Sequence, residues 1–283
     1  MSVDRDSLER WNRDYYGSSL EQAARMANKW TPQWRFRFAT YTDVVQRLAG
    51  EQGWVLDLGC GGGQTTYAIA SGVRQVLGLD ISCLALRGRP PQPDNVSFVQ
   101  ADAASLPFAS RCFDVVAFHD ALEHLPAVER ALQQALRVVR PDGWLVVFSP
   151  NLISPLRSWS LLAQGARSGK WHPDASPCFW LRSLWLNALK VTGLQREFTY
   201  RQPLVRDLSW PGPDYDAIYL VNPLDLLHFS RQHDLYVQHM AEGTSRVGKL
   251  VARWWPWFAG GIAFVAQKPA HLGRSCQAQG ETA

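Results

Sequence analysis

The chain has 283 residues, of which 46% are hydrophobic, and a formal net charge of +4 at pH 7. This composition excludes a disordered chain, and the charge is too small to indicate nucleic-acid binding by itself. No apolar run approaches the roughly 20 residues needed to span a bilayer, so we expect no membrane span. The five cysteines show no paired spacing, which predicts reduced thiols and a cytoplasmic protein.

The first fifty residues are predicted to be helical. Residues 7–16 and 19–30 predict two short helices separated by a glycine. A third helix is predicted from residue 32 or 33 to residue 49, because apolar side chains recur there at helical spacing.

A glycine-rich turn at residues 59–63 is the central motif of the chain. Residues 55–58 predict a short buried strand, because apolar residues flank a single acid. Gly59, Gly61 and Gly63 lack a β-carbon, so the backbone can adopt positive φ and approach a bound molecule closely. The helix that follows turns its first N–H groups toward whatever lies above the turn. A tight strand-to-helix turn without a ligand has the same pattern, so this alternative stays open.

Polar residues follow the next predicted strands at the points where a ligand would bind. Asp80 ends the second strand, about 20 residues after the glycines, which is the separation expected for a carboxylate on ribose hydroxyls. Asp102 follows the third strand and His119 the fourth. Strands that alternate with helices predict a parallel sheet. The carboxyl ends of parallel strands lie at the same edge of a sheet, so these residues should lie close together. These further strands are predicted over residues 75–80, 96–99, 112–118 and 144–148.

The combination of glycine turn, spaced acids and alternating strands resembles the class I S-adenosylmethionine-dependent methyltransferases over about residues 54–150. It is most similar to the branch that includes the ubiquinone and menaquinone methyltransferases and many small-molecule tailoring enzymes. The resemblance implies a three-layer, doubly wound α/β fold with a mostly parallel, Rossmann-like sheet of seven strands. It also implies a last, antiparallel strand at residues 262–267. S-adenosylmethionine would be the cofactor and S-adenosylhomocysteine the product.

The resemblance also implies roles for individual residues. Asp80 would accept hydrogen bonds from both ribose hydroxyls, although capping of the following helix is an alternative role for it. His119 would face the transferred methyl group, either as a general base or only as a packing residue. Asp114 opens the fourth strand, so we expect it at the opposite end of the sheet in a structural role. The implied cofactor contacts are Asp57, Gly59, Cys60, Gly61, Gly63, Asp80, Ile81, Asp102, Ala103 and His119.

The sequence after residue 150 is less familiar and is expected to build the acceptor side. Helices are predicted at residues 155–166, 181–192 and 223–233, and a strand at residues 195–200. Aromatic residues are candidates for the acceptor pocket, although each could equally be a packing residue. The acceptor-side candidates are Tyr15, Tyr16, Trp30, Trp34, His172 and Trp210.

These elements suggest four regions. We expect an N-terminal helical cover at residues 1–50 and an inserted acceptor-side lid at residues 201–259. The cofactor-binding core is expected to comprise residues 51–200 and 260–269. The polar tail at residues 270–283 is expected to be disordered.

Three ligand-type residues after the fourth strand give a weaker indication, of a metal site. Asp120, Glu123 and His124 occur at i, i+3 and i+4 of a predicted helix, where three ligand-type groups would share one face. The same residues recur in relatives without a metal ion. We therefore predict activity that does not require a metal.

The function implied by the resemblance is methyl transfer to an oxygen or nitrogen of a small molecule. A secondary metabolite, a quinone-like compound or a sugar-containing compound would be the acceptor. The alternative is a methyltransferase that acts on RNA or protein. Residues 119–122 lack the Asn/Asp-Pro-Pro-aromatic run of the adenine N-methyltransferases, so we expect no nucleic-acid partner. A cofactor-binding protein without transferase activity also fits the pattern.

Overall fold

The computed structural model describes residues 4–18, 38–87, 89–169, 171–204, 214–241 and 246–270. Its helices are α1 (Arg5–Ser18), α2 (Ala39–Ala49), α3 (Gln64–Ala70), α4 (Cys83–Arg87), α5 (Val128–Val138), α6 (Pro155–Ser168), α7 (Pro177–Val191), α8 (Pro223–Gln232) and α9 (Arg246–Trp254). Its strands are β1 (Trp54–Leu58), β2 (Gln75–Asp80), β3 (Val96–Gln100), β4 (Phe113–His119), β5 (Val139–Pro150), β6 (Tyr236–His239) and β7 (Gly261–Gln267). Among the described residues, no helix is both long and apolar enough to cross a bilayer.

The seven strands form one sheet in the order β3-β2-β1-β4-β5-β7-β6. The first five are parallel to one another, and β7 is antiparallel to both β5 and β6. The strand predicted at residues 262–267 therefore lies beside the sixth strand, as expected. The doubly wound, mostly parallel fold is confirmed.

Alternate residues of the central strands enter two cores on opposite faces of the sheet. Leu56 and Val116 pack on the face that α5 covers through Leu132. Their neighbours Val55 and Val115 enter the opposite core, which α2 and α3 cover. Both faces are buried because β1 and β4 are apolar at nearly every position, as is typical of central strands in parallel sheets.

Asp114 lies at the amino end of β4, far from the carboxyl ends of the strands. Its carboxylate accepts a hydrogen bond from the backbone N–H of Trp54 at 2.7 Å and forms an ion pair with Arg140. These contacts link the start of β4 to the start of β1. They agree with the structural role expected for this acid.

Two expectations about secondary structure are wrong. Residues 195–200 form no strand, because only Tyr200 makes a bridge, to Tyr219. The sixth strand is instead β6, which lies inside the segment expected to be a lid insertion, so residues 201–259 contribute to the sheet. The residues of 201–259 outside β6 stay a candidate lid.

The chain after β4 also differs from the prediction. A 3₁₀ helix at Leu122–His124 follows the strand, and α5 begins only at Val128. Asp120 has a left-handed φ of 46°, which ends regular structure before the 3₁₀ turn. Asp120, Glu123 and His124 therefore do not share one face of an α-helix. The expected tail at residues 271–283 lies outside the described residues.

Candidate active site

A cavity of about 890 Å³ opens at the carboxyl ends of the parallel strands. This is where ligands bind in doubly wound sheets. Eight of the ten predicted cofactor contacts line it, whereas Asp57 and Gly63 do not. The eight are Gly59, Cys60, Gly61, Asp80, Ile81, Asp102, Ala103 and His119.

The glycine turn adopts the backbone conformation that its sequence predicts. Gly59 and Gly63 have φ angles of 71° and 86°, in the left-handed region that favours glycine. A β-carbon at Gly63 would lie 2.7 Å from the ring of Phe98, so this glycine is needed for packing. A β-carbon at Gly59 would lie 2.5 Å from that of Ala121. The turn therefore brings bare backbone to the cavity wall at Gly59 and Gly61.

Asp57 lies beneath the turn, and its side chain is 1% exposed. It accepts hydrogen bonds from the hydroxyls of Tyr41 at 2.9 Å, Thr65 at 2.6 Å and Thr66 at 2.7 Å. Burial raises the pKa of this carboxyl, and the three hydroxyls oppose the increase. The geometry thus gives Asp57 the role of holding the turn, and its contact with the cofactor stays a prediction.

Asp80 joins the end of β2 to the glycine turn. Its two carboxylate oxygens accept hydrogen bonds from the backbone N–H of Gly61 at 2.7 Å and of Ser82 at 2.8 Å. Burial raises the pKa of Asp80, and both N–H groups counteract that shift. Each oxygen keeps a second lone pair, so the carboxylate can still accept bonds from two ligand hydroxyls. The hydroxyl of Ser82 caps the start of α4 by accepting a hydrogen bond from the backbone N–H of Ala85 at 3.2 Å, and the ribose contact of Asp80 stays a prediction.

Asp102 lies after β3 on the outer side of the cavity. Its carboxylate accepts a hydrogen bond from the backbone N–H of Ala104 at 2.8 Å. The side chain is exposed and lines the cavity beside Ala103. This position suits a hydrogen-bond acceptor for an adenine amino group.

His119 ends β4 within a group of aromatic rings. The imidazole contacts Phe38 and Tyr41 edge-on, at centroid distances of 5.0 Å and 4.8 Å, and is parallel to Phe148 at 6.4 Å. Its Nδ1 lies 3.6 Å from a carboxylate oxygen of Asp120. The ring is thus held in one orientation at the cavity, where it can contact a bound molecule.

A polar cluster forms the other wall of the cavity. The Tyr16 hydroxyl lies 2.7 Å from His124 Nδ1 and donates a hydrogen bond to Asp216 at 2.8 Å. Burial, reinforced by Asp216, raises the pKa of Tyr16 well above its usual value. Asp214 also lines this wall and forms an ion pair with Arg157 of α6. The wall therefore joins α1, the turn after β4 and the segment that begins at residue 214.

Glu123 lies at the base of this wall and is almost fully buried. It accepts a hydrogen bond from the hydroxyl of Ser149 at 2.9 Å, and its second oxygen lies 3.9 Å from His124 Nε2. Burial raises the pKa of its carboxyl to about 8, an increase that His124 opposes. The negative charges of Asp120 and Asp214 add to the increase. Its surroundings therefore favour the protonated form of this carboxyl.

The described part of the chain contains no group of three His, Cys, Asp or Glu side chains arranged to hold a metal ion. Glu123 bonds to Ser149, and the left-handed backbone at Asp120 keeps this residue off a common helix face with Glu123 and His124. The geometry that motivated the metal hypothesis is thus not formed by these residues.

The predicted acceptor-side residues have different positions. Tyr16 lines the cavity, whereas Tyr15 packs against Trp11 at 4.8 Å between ring centroids. His172 is buried elsewhere, accepts a hydrogen bond from the backbone N–H of Asp174 and does not line the cavity. The remaining candidates, Trp30, Trp34 and Trp210, lie outside the described residues.

Several cavity residues were missed by the sequence analysis. Asn12 lies among charged residues of α1 and Ser149 lies at the end of an apolar strand, and nothing in either local pattern indicates a site. Asp214 and Asp216 are two acids separated by one residue in a loop, and this pair was the one available signal. Each of these four residues lines the cavity.

Comparison with known proteins identifies the central part of the chain. Residues 56–147 match the family described as "Methyltransferase domain". The demethylmenaquinone methyltransferase of Renibacterium salmoninarum is 34% identical over 131 residues, which cover 45% of this chain and 53% of that protein. The ubiquinone biosynthesis O-methyltransferase of Albidiferax ferrireducens is 37% identical over 128 residues, covering 42% and 48% of the two chains. The chain therefore spans about half the length of these relatives.

A solved structure shows the same fold over most of the chain. The PH0226 protein of Pyrococcus horikoshii superposes with a TM-score of 0.50 at 18% identity, covering 92% of this chain and 98% of that one. The family match, the two relatives and the glycine turn with Asp80 agree with one another. The central part of the chain is therefore similar to S-adenosylmethionine-dependent methyltransferases, and these similarities support S-adenosylmethionine as the cofactor.

Proposed function

We propose that the protein transfers the methyl group of S-adenosylmethionine to an oxygen or nitrogen of a small-molecule acceptor. The observation that carries this proposal is that one cavity is lined both by the predicted cofactor contacts and by a polar wall on its other side. This polar wall comprises Tyr16, Glu123, His124, Asp214 and Asp216. A single cavity of this size is typical of small-molecule sites. The quinone methyltransferases among the relatives support the same class of acceptor.

The cofactor side is formed by residues whose chemistry fits the group. The backbone at Gly59 and Gly61 would border the methionine part, and Asp80 would hold the ribose. Asp102 would accept a hydrogen bond from the adenine amino group, and Ile81 would pack on the ring. The cofactor supplies a methyl group on a positively charged sulfur, so the protein has mainly to align the acceptor and exclude water.

The polar wall would bind the acceptor. Carboxylates only accept hydrogen bonds, so Asp214 and Asp216 favour an acceptor that carries hydroxyl or amino groups. The Tyr16 hydroxyl, which donates to Asp216, would fix the orientation of that carboxylate. The aromatic rings of Phe38 and Phe148 would cover an apolar part of the acceptor. We therefore propose an acceptor with one apolar portion and one portion rich in hydrogen-bond donors.

His119 would serve as general base when the acceptor atom is a hydroxyl. A histidine titrates near neutral pH and can remove the proton that the attacking oxygen loses. An amine that is already neutral would need no base. His124 lies on the opposite wall and is the alternative base.

The experiment is a transfer assay with a radiolabelled cofactor methyl group. The acceptors are a panel of hydroxylated and amine-bearing small molecules, together with total RNA and a protein lysate. We expect label in the small-molecule fraction and a raised KM for the Asp216→Asn variant. Glu129→Gln is the control, since Glu129 is an exposed acid at the start of α5. Label found only in RNA or protein would overturn the small-molecule proposal.

A further inference from the structure

Helices α6 and α7 pack against each other and expose a large set of apolar side chains. Trp159 and Trp185 are 68% and 62% exposed, although tryptophan is usually mostly buried. We use the name apolar surface for these two residues with their exposed neighbours. It comprises Leu156, Trp159, Leu181, Trp185 and Val191.

In α7 the distribution of polar and apolar residues between the buried and exposed faces is largely the reverse of that in an ordinary surface helix. The inner face of α7 carries the polar residues Ser183, Asn187 and Lys190 together with Leu186, all of which are buried. Its outer face carries Leu181 and Trp185, separated by one helical turn. A surface helix normally has its apolar residues inside and its polar residues outside. The sequence of α7 thus places apolar residues where they contact solvent.

The buried polar residues of α7 all have partners, so this orientation is well determined. Asn187 donates hydrogen bonds to the backbone carbonyls of Ile153 and Ser183. Lys190 forms an ion pair with Asp225 and donates to the carbonyl of Glu197. Rotating the helix to bury Trp185 would break the bonds to Ile153, Asp225 and Glu197, and it would leave the buried Asp225 without its cation. The outward position of the apolar residues is therefore fixed by the structure.

The exposed charges on α6 and α7 have one sign. Between Leu156 and Gln195 the sequence contains a single acid, Asp174, which is buried and paired with Arg201. The exposed charges on these two helices are Arg167 and Arg182, and the exposed acid Glu197 lies beyond the end of α7, next to the exposed Arg196. The two helices thus combine exposed apolar residues with positive charge, which is complementary to an anionic surface that has an apolar interior.

A second pair of exposed tryptophans lies near the start of α6. Trp254 and Trp255 are more than half exposed, and the adjacent Arg253 is also exposed. This segment is held next to α6 because the Ser154 hydroxyl donates to the carbonyl of Phe258 at 2.6 Å. The same combination of indole rings and arginine therefore occurs at a neighbouring position.

We propose that the apolar surface docks onto the interface of a bilayer containing anionic phospholipids. Tryptophan favours this interface because its ring is largely apolar and its N–H can remain hydrated. Arginine adds attraction to the lipid phosphates, and apolar burial with basic residues is what binds peripheral helices. A second copy of the chain fits less well, because two identical basic surfaces would repel each other. This inference does not depend on the proposed acceptor.

Sedimentation of the full chain with lipid vesicles tests the proposal. Vesicles of mixed phosphatidylglycerol and phosphatidylcholine are compared with vesicles of phosphatidylcholine alone. We expect binding to the anionic vesicles, weaker binding to the neutral ones, and a decrease with added salt. The double variant Trp159→Ser, Trp185→Ser should bind the anionic vesicles at least about tenfold more weakly, since both rings insert at the interface.

Trp54→Ser is the matched control, because Trp54 is 45% exposed at the start of β1, at the opposite end of the sheet. This variant should bind vesicles as the unaltered chain does. The far-ultraviolet circular dichroism of each variant establishes that it is folded. No binding to either vesicle, or an equal loss in Trp54→Ser, would overturn the proposal. A dimer in solution that the double variant dissociates would also overturn it, in favour of a second copy.

Discussion

Asp80 accepts a hydrogen bond from the backbone N–H of Gly61 at 2.7 Å, so the acid that ends β2 is joined to the turn that follows β1. One side chain thus holds the glycine turn in place and also lines the cavity. Replacing Asp80 should therefore loosen the turn, and it would also remove the proposed ribose contact.

The first prediction concerns this acid. Asp80→Ala should weaken S-adenosylhomocysteine binding by about 1.5–3 kcal/mol, the range for a hydrogen bond to a charged group. Isothermal titration calorimetry on the folded variant measures this. Asp114→Ala is the contrast, since Asp114 bonds to Trp54 at the other end of the sheet and should affect stability alone. An unchanged affinity in Asp80→Ala would contradict the ribose assignment.

The second prediction concerns His119. If the acceptor atom is a hydroxyl, His119→Ala should lower kcat by about 100- to 10,000-fold, the usual contribution of a general base. Cofactor affinity should change far less, because the contribution is to proton transfer. The control is His239→Ala, which alters an exposed histidine of β6. A larger loss in His124→Ala than in His119→Ala would assign the base to the other wall.

The third prediction concerns metal dependence. Prolonged treatment with a chelator should leave methyl transfer unchanged, because Glu123 bonds to Ser149 and the expected helix face does not form. Activity is measured before and after dialysis against the chelator, with metal content determined in parallel. Stoichiometric metal in the purified protein, combined with activity lost on chelation and in Glu123→Gln, would contradict this.

The fourth prediction is a pH dependence of stability. The pKa of Glu123 is raised from 4.5 to about 8 on folding, so the folded state binds more protons than the unfolded state between these values. Stability therefore decreases as pH rises from about 4.5 to about 8. The variant Glu123→Gln lacks this titration, and its free energy of unfolding should fall less over the same range. Urea unfolding at several pH values measures the difference. Parallel pH profiles for the two proteins would rule out the shifted carboxyl.

The fifth prediction concerns the buried ion pair between α7 and α8. Lys190 and Asp225 are both fully buried, and the Tyr219 hydroxyl also donates to Asp225 at 2.9 Å. Burial raises the pKa of Asp225 to about 6, against the opposing effect of Lys190. Lys190→Met should cost about 3–5 kcal/mol of stability, because it leaves a buried carboxyl without its cation.

Two further variants complete this test by urea unfolding. The double variant Lys190→Met, Asp225→Leu should recover much of the loss, since no buried charge remains unpaired. Arg10→Met removes one partner of an exposed ion pair with Asp4 and should change stability little. A Lys190→Met protein as stable as the unaltered chain would show that the pair contributes nothing.

The cavity wall at the glycine turn and Asp80 could be predicted from sequence because its signals are local. Gly59, Gly61 and Asp80 occur at fixed distances from apolar strands, and parallel strands place their carboxyl ends together. The hydrogen-bond partners of Asp57 could not be predicted, because the sequence does not show that Tyr41 on α2 and two threonines on α3 enclose its carboxylate.

The polar wall could not be predicted for a different reason. Tyr16 and Asp216 are 200 residues apart in the chain and meet only in the folded structure. The strand expected at residues 195–200 was wrong because the aromatic and β-branched residues that suggested it need not pair in a sheet: Phe198 and Tyr200 pack against the ring of Tyr219 instead. The reversed distribution of polar and apolar residues in α7 was also hidden, since the polar face of this helix is stabilised by distant partners such as Asp225.

The position of β7 has a consequence for how the chain folds during synthesis. In the sheet, β5 pairs with β4 on one side and with β7 on the other. The side of β5 that faces β7 therefore has no strand partner until residues 261–267 have left the ribosome. An open edge of an apolar strand is a site where other chains can pair, so the nascent protein is exposed to aggregation for as long as residues 151–260 are being made. The last strand of the sheet is therefore also the step that ends this exposure.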